Sequence, residues 1–434
     1  MQNISNPRIS DRNTRAHSQP NVRRVVVTGM SATTPVGNSL NETWESLIAG
    51  RSGAGPITVL DASNYPCQVG AELKGFDIEQ YMPRKKARHL AFASQLAVAA
   101  TSQAIEHAAI DLEQVDRDSV GVILGNAGGS IIEETEVACK ELVSANSNRL
   151  SPFQILRLWP NMPAYFVAEF FKLRGYSSTI CTACASGTQA IGEAARMIRR
   201  GEAELIITGG GESMVSETAL AGFSAMRALS TKYNHEPERS MRPFDADRDG
   251  FIAANGAAIL ILESLEHAQS RGATIYAEIL GAGVSNDAYH MIAPDPDGGG
   301  AALAMERALN EAGIEPETID YISAHAASTP LGDAAETTAI KRVFGERAYQ
   351  IPISSAKSMV GHMMGATGAV EAVVCIMSIQ QGIVHPTINY ETPDPLCDLD
   401  YVPNLARNVE VNVAMSNSFG LGGQNAVLVL KKYE

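Results

Sequence analysis

The stretch Ile180–Ser213, "ICTACASGTQAIGEAARMIRRGEAELIITGGGES", decides how the rest of the chain is read. Its opening residues belong to "SSTICTACAS", a β-branched run ending in small residues, which predicts a strand. From Ala185 the period changes. Ala190, Ile191, Ala194, Ala195 and Ile198 recur at helical spacing until Gly201 stops the helix. "ELIITGGGES" then predicts the next strand. Strand, helix and strand in quick succession make a unit of an α/β protein.

The same alternation extends outward in both directions. Upstream, Val25–Thr28 is a short strand ending at Gly29, "ARHLAFASQLAVAATSQAIEHAAI" is a buried alanine-rich helix, and "SVGVILGN" is a strand. Downstream come "AAILILESLEHAQSRG" (strand plus helix), "TIYAEILGAGVSND" (a strand pair or strand-turn) and "GGGAALAMERALNEAGI" (helix, with Gly313 near its end). "IDYISAHAAS" is a strand entering a loop, "GATGAVEAVVCIMSIQQGIV" a helix, and "VAMSNSFGLGGQNAVLVLKK" two strands about a glycine turn. A chain of 434 residues exceeds one core, so two packed halves are expected. Each half delivers a reactive residue to the loop after a strand, as an internal duplication would.

Composition narrows the function classes. The net charge of −14 argues against nucleic acid and against an anionic membrane surface as the main ligand. No apolar run is long enough to span a bilayer. Six cysteines in so long a chain do not form a disulfide framework, and a reducing, cytoplasmic setting is expected. Residues 1–23 read as a disordered N-terminal arm; with Arg24 this stretch holds five arginines, one aspartate and no apolar core. A transit peptide is the alternative reading of that composition.

Cys181 and Cys184 form a C-x-x-C pair. A structural zinc site needs four ligands, yet Cys67, Cys139, Cys375 and Cys397 stand singly and no His-x₃₋₅-His pair occurs. A thioredoxin-like motif belongs to an early strand of a small domain, not deep in a large one. The third reading is one nucleophile. Cys184 falls at a strand-to-helix turn, where free N–H groups and the helix dipole favour a thiolate and lower its pKa. Small neighbours, Ala183, Ala185, Ser186 and Gly187, permit a sharp turn and close approach. Cys181 is then expected to be buried in the strand.

A nucleophilic cysteine needs partners. Of nine histidines, His290, His325 and His362 stand out by context. His325 enters a loop followed by a defined turn, Pro330 to Asp333, although a lone loop histidine is most often structural. His362 is flanked by glycines, with Lys357 five residues before it and Glu371 in the helix beyond. A nearby cation keeps an imidazole neutral, which suits a donor to a developing oxyanion. "SNSFGLGGQN" lacks a Walker lysine, so a backbone N–H beside the cysteine is its better use.

Taken in order, "TACASGTQAIGEA", "RPFDADRDGF", "SNDAYHMIAPDPDG", "AHAASTPLGDAAE", "KSMVGHMMGATGAVEA" and "NSFGLGGQN" resemble the β-ketoacyl-acyl carrier protein synthases of the synthase II type, from about Arg24 to the C-terminus. The resemblance implies a thiolase fold, a five-layered αβαβα architecture of two duplicated halves, with residues 24–272 holding the nucleophile and 273–434 the two histidines. Cys184 would take an acyl chain from a phosphopantetheine thioester. His325 and His362 would hydrogen-bond the malonyl thioester carbonyl as carbon dioxide leaves, and the enolate would attack the acyl-Cys. Lys357 and Glu371 would support the site, and the backbone N–H groups of Cys184 and Leu421 would form the oxyanion hole. No metal or bound cofactor is implied; the phosphopantetheine travels on the acyl carrier protein. The resemblance also implies a homodimer and a carrier-protein docking patch of Arg84, Lys85, Lys86, Arg88 and Arg227. Without it, that charge run would read as a solvated helix face.

Departures from the family pattern gather around the substrate. The family's His-Gly-Thr-Ser-Thr is His325-Ala326-Ala327-Ser328-Thr329 here, leaving Thr329 as the hydroxyl. Ile292 replaces a threonine, Leu421 replaces the aromatic gate, and Asn255 replaces a carboxylate. Asn126 falls at a position usually apolar in the acyl pocket. With Phe223 and Phe419, these residues make up the expected pocket and gate. The pattern suggests a ketosynthase specialised for an unusual acyl group, as in polyketide or other secondary metabolism. The alternatives are a malonyl decarboxylase, a partner subunit of a heterodimeric ketosynthase, which typically lacks the cysteine, and a thiolase, which uses a second cysteine near the C-terminus.

Overall fold

The computed structural model describes residues 23–144 and 150–434. The N-terminal arm lies outside the described residues except for Arg23, which pairs with Glu204.

Ten strands matter for the site: β1 (Val25–Thr33), β2 (Gly121–Gly125), β3 (Ser177–Ile180), β4 (Leu205–Glu212), β5 (Gly256–Ser264), β6 (Ala277–Asn286), β7 (Tyr321–Ser323), β8 (Ile353–Ser354), β9 (Val413–Gly420) and β10 (Gln424–Lys431). They lie side by side in the order β8-β7-β9-β10-β6-β1-β5-β4-β2-β3. Counted outward from the centre, one half runs β1-β5-β4-β2-β3 and the other β6-β10-β9-β7-β8. On both sides the first two pairings are antiparallel and the next two parallel. The two halves therefore share one topology. They meet at a short seam, where only Val26↔Glu278 and Val27↔Ala277 join β1 to β6.

Six helices complete the repeat: α1 (Phe92–His107), α2 (Gly129–Ser144) and α3 (Ser186–Arg199), then α4 (Gly299–Ala312), α5 (Pro330–Phe344) and α6 (Thr367–Gln381). Helix α1 covers strands of the first half and α4 strands of the second, while α3 and α6 touch strands of both halves and each other. The result is the expected five-layered αβαβα thiolase order. Burial explains the sequence: every residue of α6 from Thr367 to Ile379 is buried, as its all-round apolar pattern requires. β1 and β5, covered on both faces, are buried along their whole length.

Some local expectations change. "TIYAEILGAGVSND" forms one ten-residue strand, β6, not a pair. The turn expected at Pro330–Asp333 is the first turn of α5, with Thr329 as N-cap accepting from Gly332 N and Pro330 in the opening position. Cys181 is exposed, not buried. β3 is the last strand of the sheet, and Cys181 directly follows its end. No described helix is long and apolar enough to cross a membrane.

Candidate active site

The duplication places the reactive residues. Cys184 lies between β3 and α3, and His362 lies between β8 and α6, the corresponding position in the second half. His325 follows β7 as Asn126 follows β2. The N-terminal ends of α3 and α6 come together because there is almost no side chain between them. A Cβ on Gly187 would stand 2.8 Å from the Gly365 carbonyl, and one on Gly368 would stand 2.0 Å from Thr188 Oγ1. The small residues around Cys184 thus serve close packing of two helices as much as the turn. Ala183 does serve the turn, with φ +50°, a conformation costly for larger side chains.

At the centre, Cys184 Sγ lies 3.1 Å from His362 Nε2 and 3.6 Å from Met364 Sδ. Leu421 lines the same cavity as this sulfur, and its backbone N–H is close enough to pull the thiol's pKa down. His362 Nδ1 meets the Thr367 hydroxyl at 3.0 Å, which sets the ring's orientation. The His325 and His362 rings are 5.6 Å apart, centre to centre, at 76°. The His325 backbone is held by Glu336, whose carboxylate accepts from His325 N at 2.9 Å and Ala326 N at 2.7 Å. Lys357 Nζ and Glu371 Oε1 form a fully buried pair at 2.5 Å. Phe251 stacks edge-on against His362 at 5.3 Å, and Phe419 lies 5.8 Å from His325.

Burial sets the electrostatics. It pushes the Cys184 thiol up to about 11, against the smaller opposing pull of the Leu421 N–H and the Lys357 charge. This corrects the expectation of a thiolate at the helix end: in this buried turn, desolvation outweighs the dipole. His325 and His362 are both held well below the usual imidazole range, first by burial and then by Lys357. Burial also raises Glu371 to about 7. The resting centre is therefore a thiol facing a neutral imidazole.

A cavity of about 120 Å³ opens onto these groups, and its lining includes Cys184, His325, His362, Ile292, Ala327, Thr329, Phe419 and Leu421. Phe223 is not in that lining; it packs edge-on against Phe251, which is, at 5.4 Å. Asn126 is also outside it. Its amide donates to Gly211 O at 3.0 Å and to the Glu212 carboxylate at 3.2 Å, and its Oδ1 accepts from Gly128 N. Asn255 Oδ1 accepts from Met214 N at 2.7 Å, a task an amide performs without the carboxylate's charge. Glu336, Met364 and Phe251 are site neighbours that the sequence reading missed. Among the surface cations, Arg84, Lys85, Arg88 and Arg227 are exposed. Lys86 instead pairs with Glu169 at 2.7 Å, so its charge is partly spent inside the chain.

Comparison with known proteins agrees with this layout. The family model described as "Beta-ketoacyl synthase, N-terminal domain" matches residues 22–268, and "Beta-ketoacyl synthase, C-terminal domain" matches 276–391. A 3-oxoacyl-[acyl-carrier-protein] synthase 2 of Staphylococcus aureus (strain COL) is 46% identical over 412 residues, spanning 95% of this chain and 99% of that protein. Among solved structures, the ishigamide ketosynthase/chain length factor is 35% identical, with a TM-score of 0.88 over 95% of this chain and all of that one (100%). A type II PKS acyl-carrier protein in complex with its ketosynthase bound to the hexaketide gives 34% identity and a TM-score of 0.88, over 95% and 100% of the two chains.

Proposed function

Since the chain belongs to the β-ketoacyl synthase family and is an acyltransferase, we propose that it condenses an acyl group held on Cys184 with a malonyl group brought by an acyl carrier protein. The observation that carries this reading is the Cys184 thiol 3.1 Å from a neutral His362, with His325 facing the same cavity.

In the first half-reaction, His362 Nε2 takes the Sγ proton and the sulfur attacks the acyl thioester carbonyl. The Cys184 and Leu421 N–H groups hold the oxyanion, and the carrier's pantetheine thiol leaves with the proton. In the second, the malonyl carboxylate leaves as carbon dioxide and its electron pair becomes the thioester enolate. Neutral His325 and His362 donate N–H groups to the enolate oxygen. The enolate carbon attacks the acyl-Cys carbonyl, and the Cys184 thiolate leaves and takes a proton from solvent, which restores the thiol. His362 needs Nε2 bare in one half and protonated in the other; the Thr367 hydroxyl at Nδ1 can accept or donate, so it fits both tautomers. Burial first, and then the Lys357 charge, keeps the rings neutral. The chain needs no cofactor of its own, because the phosphopantetheine arm belongs to the carrier.

The finer proposal is a preference for an unusual acyl group. Ala327, Ile292 and Leu421 line the cavity where the family carries two hydroxyls and an aromatic ring. Relatives named for ishigamide and for a hexaketide complex are compatible with such a role. We further take residues 24–272 and 273–434 as the two structural halves. We also propose a homodimer through the β3 edge, where the exposed Tyr165 and Tyr176 lie close by; a heterodimer is the alternative. Arg84, Lys85, Arg88 and Arg227 would meet the carrier protein, with Lys86 contributing less.

Incubation with a panel of acyl-pantetheine thioesters, read by intact mass with Cys184→Ala as control, tests the reading. An adduct absent from the variant supports the nucleophile, and the acyl groups that load define the substrate class. Clear preference for long saturated chains would sink the specialised reading. No adduct from any donor in a folded protein would favour the decarboxylase or partner-subunit alternative.

A further inference from the structure

We infer that the Cys184–His325–His362 cluster is also a binding site for a thiophilic d¹⁰ cation of the Zn²⁺ type, and that such an ion shuts the enzyme off. The ligand atoms of these three residues lie within 4.8 Å of one another. They come from three separate segments, so no sequence spacing announces them. The C-x-x-C pair that does suggest zinc contributes only Cys184, since Cys181 lies exposed beyond the end of β3.

The geometry suits the ion. With metal–sulfur bonds near 2.3 Å and metal–nitrogen bonds near 2.05 Å, tetrahedral sulfur and nitrogen ligands sit about 3.5 Å apart. Cys184 Sγ and His362 Nε2 are 3.1 Å apart, so an ion between them needs only slight spreading. The far nitrogen of His362 is already oriented by the Thr367 hydroxyl, the outer hydrogen bond that metal-bound histidines usually have. His325 Nδ1 is buried without a hydrogen-bond partner among the described residues, so turning the ring costs that ring nitrogen no existing bond. Met364 Sδ, 3.6 Å from the cysteine sulfur, softens the site further. Three protein ligands leave a fourth position facing the cavity, the pattern of an open zinc site. The Lys357 charge, which would repel a cation, is matched by Glu371.

Binding forms a metal–thiolate bond and releases the Cys184 proton to solvent, with no change of oxidation state. It also occupies the nucleophilic sulfur and the histidine lone pairs, so acyl loading stops. The inhibition rests on the acyl-transfer reading; the binding does not.

The test uses the purified full-length chain, titrated with Co²⁺ as a spectroscopic probe and then with Zn²⁺. We expect one ion per chain, a thiolate-to-cobalt charge-transfer band, and its loss as zinc displaces cobalt. Cys184→Ala and His362→Ala, checked for folding by circular dichroism, should each weaken zinc by more than the roughly 10–100-fold that an outer-shell partner is worth. Should either variant misfold, native protein alkylated at Cys184 serves instead and should lose the band. One equivalent of zinc should block acyl loading, and a chelator should restore it. Unchanged zinc affinity in the variants or the alkylated protein, or no binding at micromolar zinc, overturns the site. Zinc binding without acyl loading in metal-free protein would overturn the acyl-transfer reading and leave the metal site standing.

Discussion

Lys357 and Glu371 show how much a single pair can carry at this centre. Both are fully buried, so removing one strands the other. Lys357→Ala should cost about 3–5 kcal/mol of stability, measured by denaturant unfolding, whereas the double change Lys357→Met with Glu371→Leu should recover most of it. Activity should stay reduced in both, because the double variant restores packing but not the Lys357 charge that adds to burial in holding the histidines down. The pH profile follows from the same residues. Folded His325 and His362 lie below the ordinary value near 6.5, so they remain neutral as pH falls through it and protonate only well below. The histidines should therefore add no titration near 6.5 to malonyl decarboxylation, and a step nearer 7 belongs to the buried Glu371. A rate that drops with a midpoint near 6.5 would contradict it. At this scale the sequence was generous with Cys184, His325 and His362, whose surroundings are local motifs. It was silent on Glu336, which supports His325 from eleven positions away across a turn. It misled on the thiol, because a helix N-terminus is visible in a sequence and its desolvation is not.

Among the elements, β3 is the exposed one. Val122 N and Asn126 N donate to Tyr176 O and Ile180 O, so by alternation the backbone groups of Ser177 and Thr179 point away from β2. Thr179→Pro removes an outward donor while leaving the β2 ladder in place. In sedimentation it should shift the proposed dimer to monomer; an unchanged dimer would move the interface off this edge. Most strands and the helices α1, α3, α4 and α6 were legible from period alone. Helix α5 was not, because Pro330 and Gly332 read as turn residues, although Thr329 and Pro330 are also the signature of a helix start. β6 was taken for two pieces because Gly281 and Gly283 interrupt its apolar pattern. Those glycines instead let α4 press against the strand, since a Cβ on Gly283 would stand 1.9 Å from the Ala304 carbonyl.

For the molecule as a whole, charge is the long-range property. At a net −14, an exposed basic group stands out to an acidic partner. Charge reversal at Lys85, Arg88 or Arg227 should raise KM for the carrier protein about 3–10-fold with little change in kcat. The difference should fade near 1 M salt, where the Debye length is about 3 Å. Lys86→Glu should act mainly through lost pairing with Glu169. An equal KM for all these variants would place docking elsewhere. The duplication itself was hinted at by rhythm but became visible only in the strand order, since topology can repeat where residues do not. Two ladder pairs join the central strands, and Arg196 and Arg199 cover the Ala282 and Leu280 carbonyls that the seam leaves open. The sulfur belongs to one side of that joint and both imidazoles to the other. A slip of about 1 Å would carry the 3.1 Å contact beyond hydrogen-bond reach without unravelling a strand. The sulfur–imidazole cluster is thus a caliper set across the joint, and on the proposed mechanism turnover reads how well the two halves are seated: on gentle warming, activity should fade before the helices do.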